Sequence, residues 1–303
     1  MSDTDEPWVT ACVPAFRSAG FIGATLAALD AQSYPRLRIV VSIDDADDAT
    51  IEACRAAQLS RPIEILPQRR RLGWVGNSNA ALEAVESDYF FICPHDDLVL
   101  PDFTSTLLGL LQSRGDAVCA YCDVQTFGKV EEVRSVRDLH GARFDRLLSL
   151  LSQRREAVPW RGVTRASLLK DGLRMRDNAF NGYHSHVVWV VELLCKGPLL
   201  HHPEPLYRRH ERTDEQSVVQ NWQRQSAEER GHAVFENTRQ CFELLAAADL
   251  APEEWPAIRQ ALIQRMRRRW PGLAKFAGLT PDEAQARLDR AEAALIAGEG
   301  YTT

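Results

Sequence analysis

Two carboxylates stand side by side at Asp96 and Asp97, just after the apolar run of residues 89–93 stops. A helix is predicted to begin at Pro101, where proline's missing N–H costs nothing. Ionised neighbours of like charge repel, so a cation belongs beside them, and a divalent metal carrying a phosphorylated ligand is the natural candidate. A second acidic group, Asp44-Asp45-Ala-Asp-Asp48, ends the β-branched run of residues 37–43. Five of the eight histidines fall between positions 184 and 210, and a neutral imidazole is a competent proton acceptor near neutral pH. No cysteine or carboxylate spacing of the kind zinc takes accompanies them. Asp is also a common turn residue, so the acidic pairs matter only if the fold brings them together.

The elements that must do so are legible. Residues 8–15 read as a buried strand closed by Pro14, and residues 37–43 as another. Between them Ile22, Leu26 and Leu29 fall at i, i+4 and i+7, a helix stripe. A helix over about 49–58, a short strand over 63–66, a helix over 77–86 and a strand over 89–93 follow. Phe103, Leu107, Leu110 and Leu111 mark the helix after Pro101. Alternation with connections this short implies right-handed crossovers and a mainly parallel sheet. Ligands bind beyond the carboxyl ends of such strands. Both acidic groups sit there, so one crevice is expected to hold them.

The second half is less regular. A helix is predicted over 144–151, and Val187, Val190, Val191 and Leu194 mark another, with Gly197 as its C-terminal cap. Residues 199–207 carry Pro203 and Pro205 and read as an edge strand or loop. Beyond residue 221 the chain turns helical. Phe235, Thr238, Phe242 and Leu245 form a stripe, and Thr280-Pro-Asp-Glu283 is a capping box ahead of Ala284, Leu288, Ala291 and Leu295. Cys119-Ala-Tyr-Cys122 is a single pair inside an apolar run and reads as core.

Length and composition set outer limits. The chain's 303 residues allow one large domain with an appendage or two domains. A net charge of −6 argues against nucleic acid as the main partner. The polar, acidic opening Met-Ser-Asp-Thr-Asp-Glu-Pro is not a secretory signal, and no window approaches a membrane span, so a cytoplasmic chain is expected. Arg265, Arg267, Arg268 and Arg269, next to Trp270, make a dense positive patch. It reads as a peripheral contact with the inner face of an anionic membrane, a solvated helix face or a homodimer contact.

A series of motifs in order resembles glycosyltransferase family 2, inverting enzymes of the GT-A fold that use nucleotide-sugar donors. Val13-Pro-Ala-Phe16 resembles the opening strand and Ala31-Gln-Ser-Tyr34 the glutamine-tyrosine signature. The stretch from Val41 to Thr50 looks like the family's Val-Val-Asp-Asp-Gly-Ser segment, and Gly73 with Asn79-Ala-Ala-Leu82 like its glycine-then-asparagine helix start. His95-Asp-Asp97 followed by Pro101-Asp102 resembles the metal-binding aspartate motif. Pro203-Glu-Pro-Leu-Tyr-Arg-Arg-His210 resembles the late segment, in which Glu204 and Tyr207 read as structural. The resemblance implies a GT-A domain over residues 1–220, with a nucleotide-binding half at about 8–115 and an acceptor half at about 116–220. An α-helical extension over 221–303 lies outside it.

The resemblance also implies roles. Pro14, Ala15, Phe16, Asp44, Asp45, Arg71, Gly73, Asn79 and Asp96 would bind the donor. Asp44 and Asp45 could accept the imide N–H of uracil or thymine, while Asp47 or Asp48 caps the next helix. Arg69, Arg70 and Arg71 could meet the diphosphate or form a solvated loop. Asp97, Asp96 and His210 would hold Mn²⁺ or Mg²⁺, with Pro94 standing where many relatives carry a further acid. The usual Glu-Asp pair of the catalytic base falls on Ser185 and His186, so His186 is the expected base, with His184 and Asp177 as alternatives. The reaction expected is transfer of a sugar from a UDP- or dTDP-linked donor to a hydroxyl of a sugar, glycolipid or glycoconjugate. A donor-binding module without turnover, or a nucleotidyltransferase, would be the competing functions.

Overall fold

A computed structural model describes residues 6–45, 47–154, 157–212, 226–277 and 280–297. The first half forms as periodicity predicts. Strands β1 (Val9–Ala15), β2 (Leu37–Ile43), β3 (Ile63–Pro67) and β4 (Tyr89–Ile92) alternate with helices α1 (Ile22–Asp30), α2 (Asp48–Ala56) and α3 (Gly73–Glu83). β1 pairs in parallel with both β2 and β4, and β2 with β3. β1 therefore lies where the strand order reverses, the place at which open α/β sheets leave a crevice. Ile22, Leu26 and Leu29 on α1 are fully buried, each contributing roughly 1.5–3 kcal/mol by leaving water.

The chain then runs through β5 (Leu98–Val99), α4 (Phe103–Gln112), β6 (Cys119–Gly128), β7 (Val133–Arg134), α5 (Arg143–Ser152), a 3₁₀ turn (Val158–Arg161), β8 (Val163–Arg165) and α6 (Ser167–Lys170). It continues with α7 (Ser185–Lys196), β9 (Leu199–Glu211), α8 (Ala227–Ala246), α9 (Trp255–Ala277) and α10 (Pro281–Ala297). Among the described residues one sheet runs β3-β2-β1-β4-β8-β6-β9-β5, with β7 paired to β6. Parallel pairing among β1 to β4 gives way to mixed pairing beyond β4.

Three elements differ from the expectation. β9 is no edge: it lies between β6 and β5. Its two prolines fall within a bulge, where the register with β6 shifts between Cys122 and Val124, so neither is asked for a ladder hydrogen bond. α3 starts at Gly73 rather than at residue 77 because a side chain from another strand end caps it, as described below. Gly197 ends α7 in extended backbone, φ −179°, not in a left-handed cap. It is glycine for space, since a Cβ would stand 2.9 Å from the Asp116 carbonyl oxygen and closer still to Val118.

The C-terminal helices are welded to the rest. Cys241, Leu244 and Leu245 of α8 and Ile258 and Leu262 of α9 belong to the same core as the sheet. A smaller cluster of Val234, Phe235, Met266, Leu288, Ala291 and Leu295 joins α8, α9 and α10. Among the described residues no helix is long and apolar enough to cross a membrane.

Candidate active site

The residues expected to bind the donor gather at the ends of β1 and β2. Asp44, 1% exposed, follows β2 and turns its carboxylate inward. It accepts the N–H of Leu72 at 2.6 Å and of Gly73 at 3.1 Å, plus Arg71 Nε at 3.0 Å. Asp44 thus caps α3 across the crevice, and three of its roughly four lone-pair sites are taken. Gly73 reaches it at φ +74°, in the left-handed region that favours glycine. Asp45 is the exposed acid of the pair, at φ 51°, and Asp47 caps α2 through the Thr50 N–H. Of the two acids expected to meet a base, Asp45 is the one left facing solvent. Beside it the Arg71 guanidinium lies 3.5 Å from the centre of the Phe16 ring, a cation–π contact at the mouth of the crevice.

Neighbouring groups hold these in place. Asn77, 2% exposed, donates to the carbonyls of Ala15 and Ser42 and accepts from Ser42 Oγ at 2.7 Å, which locks α3 against β1 and β2. The Ala15 carbonyl also accepts the Asp44 N–H. Asn79, expected at the donor, exchanges two hydrogen bonds of 2.9 Å with the backbone of Met175. Its amide is spent on anchoring that loop, a correction that makes Asn79 a positioning residue.

The loop after β4 is pinned from below. Thr25 Oγ1 lies 2.8 Å and 2.9 Å from the carbonyls of His95 and Asp97. His95 Nδ1 stands 3.1 Å from the Pro14 carbonyl. A carbonyl only accepts, so Nδ1 carries the proton and Nε2 is left to accept from Arg212 Nη1 at 3.5 Å. The Asp96 side chain is 15% exposed, with Arg212 Nη1 at 3.8 Å. Burial first and the adjacent Asp97 second push its carboxyl above the ordinary range, offset in part by His95, Arg212 and His210.

Asp97 is different. Its side chain is 3% exposed, and its oxygens accept Arg161 Nε at 3.1 Å, the Tyr207 hydroxyl at 2.9 Å and the His210 N–H at 2.9 Å. Three of its roughly four lone-pair sites are thereby taken by the protein itself. It orients the loop that presents Asp96. His210 stacks on Phe127, ring centres 4.8 Å apart, and its Nδ1 is enclosed without a hydrogen-bond partner. Among the described residues no group of three or more His, Cys, Asp or Glu side chains forms a ready metal cage.

The opposite wall is the start of α7. Asn181, Gly182 and His184 all take positive φ, so the chain turns tightly into the helix. His184 Nδ1 accepts Arg269 Nη1 at 2.8 Å, and burial with the Arg269 charge holds its ring neutral, well below the usual pKa. The only nitrogen that could take a proton is thereby occupied, which removes His184 as a base. His186 lies in the first turn of α7, its ring 6.1 Å from Trp74, 5.9 Å from Trp160 and 5.1 Å from His184. Among the described residues its imidazole makes no hydrogen bond. Burial first, then Arg161, Arg209, Arg269 and Arg265, keep it neutral well below the histidine range. Asp177 is exposed and accepts its neighbour's N–H.

The basic patch is dispersed by its own helix. Arg265, 1% exposed, donates to Asn237 Oδ1 at 2.8 Å. Arg267 pairs with Glu292, Arg268 reaches the Leu151 carbonyl and Arg269 meets His184. Arg265 is thus taken into the interior, while Arg267 and Arg268 remain exposed on α9. Six of the seven cysteines, Cys119 and Cys122 among them, are buried free thiols.

Sequence reading missed Arg161, Thr25 and Asn77, whose partners lie 64 to 72 residues away in Arg161–Asp97 and Thr25–Asp97, and 35 or 62 away for Asn77. Only an apolar surrounding hinted at them.

A model of glycosyl transferase family 2 matches residues 10–173. An uncharacterized glycosyltransferase of Haemophilus influenzae is 24% identical over 107 residues, 35% of this chain and 33% of that protein. The chain thus matches about a third of the length of that curated relative. Residues 1–349 of S. aureus TarS superpose with a TM-score of 0.71 at 13% identity, covering 95% of this chain and 81% of that one. The mannosyltransferase PcManGT of Pyrobaculum calidifontis, solved with GDP-Man and Mn²⁺, gives 0.55 at 17% identity, covering 97% and 81%. At such identities the structural likeness is one of fold, GT-A-like with C-terminal helices. The family match spans more than half the chain and takes in both acidic groups, and on it the chain belongs to glycosyl transferase family 2.

Proposed function

We propose that the chain transfers a sugar from a UDP- or dTDP-linked donor to a hydroxyl acceptor, with inversion, in building a polysaccharide or glycoconjugate. The observation that carries this reading is the placement of Asp96. It follows β4 on a loop that Thr25 pins through the carbonyls of His95 and Asp97, at the same end of the parallel strands as Asp44 and Asp45. Solved relatives support a nucleotide-sugar donor in general: TarS was crystallised with UDP and with UDP-GlcNAc, and PcManGT with GDP-Man.

In this reading Asp45 accepts the imide N–H of the base, and Phe16 and Arg71 flank the nucleotide. The residues present fit a divalent cation that arrives with the diphosphate, not one caged by protein alone. Asp96 offers one carboxylate, and the nearby His210 Nδ1 has no hydrogen-bond partner among the described residues; Mg²⁺-type sites use one or two carboxylates plus substrate phosphates. Such a cation would offset the charge that builds on the departing nucleoside diphosphate. His186 takes the proton of the acceptor hydroxyl as its oxygen attacks the anomeric carbon and the bond to the diphosphate breaks.

The test is the melting temperature against a panel of nucleoside diphosphates, with and without Mn²⁺. Stabilisation by UDP or dTDP that grows with Mn²⁺ supports the reading, and silence across the panel would end it. Ser185 and His186 in place of an acidic pair also admit a binding module without turnover; slow metal-dependent release of UDP from a UDP-sugar argues against that module.

A further inference from the structure

The His186 imidazole, without a hydrogen bond among the described residues, is met by the rings of Trp74, Trp160 and His184. Its place is therefore set by the backbone that starts α7. That start is a turn in the left-handed region: Asn181, Gly182 and His184 stand at φ 53°, 65° and 53°. For Asn181 and His184 such backbone lasts only where the surroundings hold it. His184 precedes α7 without a side-chain cap to the helix, and its Nδ1 is taken by Arg269.

The hold comes from two sides. From α3, Trp74 Nε1 donates to the Asn181 carbonyl at 2.9 Å, and a Cβ on Gly182 would run into Trp74 and Val75. From α8, Gln240 Nε2 donates to the Asp177 carbonyl at 2.7 Å, and Asn237 Nδ2 to the His184 carbonyl at 3.1 Å. Positions 237 and 240 are i and i+3, neighbours on one helix face. Asn237 is 1% exposed, and its Oδ1 accepts Arg265 Nη2 at 2.8 Å. A guanidinium only donates and a carbonyl only accepts, so the amide has a single orientation that serves both. Contacts that pass from α9 to α8 to α7 thus end on the backbone two residues before His186.

These helices lie outside the matched family region, which ends at residue 173. We infer that the C-terminal helices take part in transfer, with Asn237 as a positioning residue: through the His184 carbonyl it sets the turn that places His186. The inference deepens the transferase reading above and rests on His186 as its base. Alanine at 237 would free the turn and take from Arg265 this acceptor. Aspartate would keep an oxygen for Arg265 but set a second acceptor against the His184 carbonyl, so it cuts the link to α7 alone.

The experiment combines Asn237→Asp with His186→Ala. It reads nucleoside diphosphate released by the full chain from UDP-glucose, UDP-GlcNAc and dTDP-glucose, with Mn²⁺ present and water as the acceptor, under single-turnover conditions that resolve slow rates. Asn237→Asp should keep the UDP-dependent gain in melting temperature and lose roughly ten- to hundredfold in rate, the scale of a displaced catalytic group. In the His186→Ala background the same substitution should change the rate by about twofold or less, because a residue that acts through His186 has nothing left to act on. Asn237→Ala brings in no charge and should give the same pattern, so a fold intolerant of a buried aspartate leaves the test intact. A full rate in the Asn237 variants, or an equal further loss in the His186→Ala background, would overturn the inference and leave the transferase reading standing. A wild-type rate in His186→Ala would remove the base, and no release from any of the three donors would contradict the transferase reading; either result ends the inference as well.

Discussion

Arg161 donates through Nε to Oδ2 of Asp97 at 3.1 Å, and that same oxygen accepts the Tyr207 hydroxyl at 2.9 Å. The pair joins the 3₁₀ turn before β8 to the loop after β4. Through it the fold decides which acid of the Asp96-Asp97 pair is tied to the protein's own groups.

Replacing Asp97 should therefore cost stability before it costs chemistry. Asp97→Ala leaves Arg161 buried without its counter-charge, a loss of about 3–5 kcal/mol on the scale of broken buried pairs. Urea unfolding of the two proteins measures it. A variant as stable as the wild type would show that the pair is not a fixed link.

Asp96→Asn should behave in the opposite way. Burial and Asp97 raise the Asp96 carboxyl, and a raised acid opposes folding once pH exceeds its unfolded value. In metal-free buffer at neutral pH the variant should melt no lower than the wild type. Its UDP-dependent stabilisation should no longer respond to Mn²⁺. A Mn²⁺ response of undiminished size in the variant would remove Asp96 from the metal site.

His186→Ala should reduce transfer by about 10²–10⁴-fold while UDP still binds. The pH profile is a separate check. The folded imidazole titrates well below the ordinary histidine value, so wild-type kcat/KM stays level through about pH 6.5 and declines only at lower pH. Stability follows the same sign. Below about pH 6.5 the unfolded chain takes up protons that the folded His184 and His186 refuse, so stability drops as pH falls. An acidic limb of kcat/KM centred on the ordinary histidine value would contradict this.

Gly73 offers a test of the donor loop. At φ +74° a side chain is strained, although a Cβ would meet only Asn181 Oδ1 at 3.9 Å. Gly73→Val should cost more than Gly73→Asn, since Asn tolerates the left-handed region and Val does not. Equal melting temperatures for the two would mean that the loop relaxes freely.

How much of this was legible in the residues follows from how local each cause is. β2 could be read to the residue because Leu37–Ile43 is a β-branched run whose burial needs no distant partner. The crevice could be read from topology alone. The start of α3 could not, because its cap is Asp44, 28 residues upstream of Leu72. Nor could the division of labour within Asp96-Asp97, which depends on Arg161, Tyr207 and the His210 backbone, all from the second half. The partners of the basic run at 265–269 could not be read either, because charge in sequence says nothing of facing groups. Asn237, Glu292, Leu151 and His184 supply them from four other places in the chain.

The most direct test of the central claim is the release of UDP from a UDP-sugar by the full chain, followed with and without Mn²⁺ in the wild type and in Asp96→Asn. The account predicts Mn²⁺-dependent release by the wild type and its loss in the variant. Release that ignores both the metal and Asp96, or none from any UDP- or dTDP-linked sugar, would contradict it.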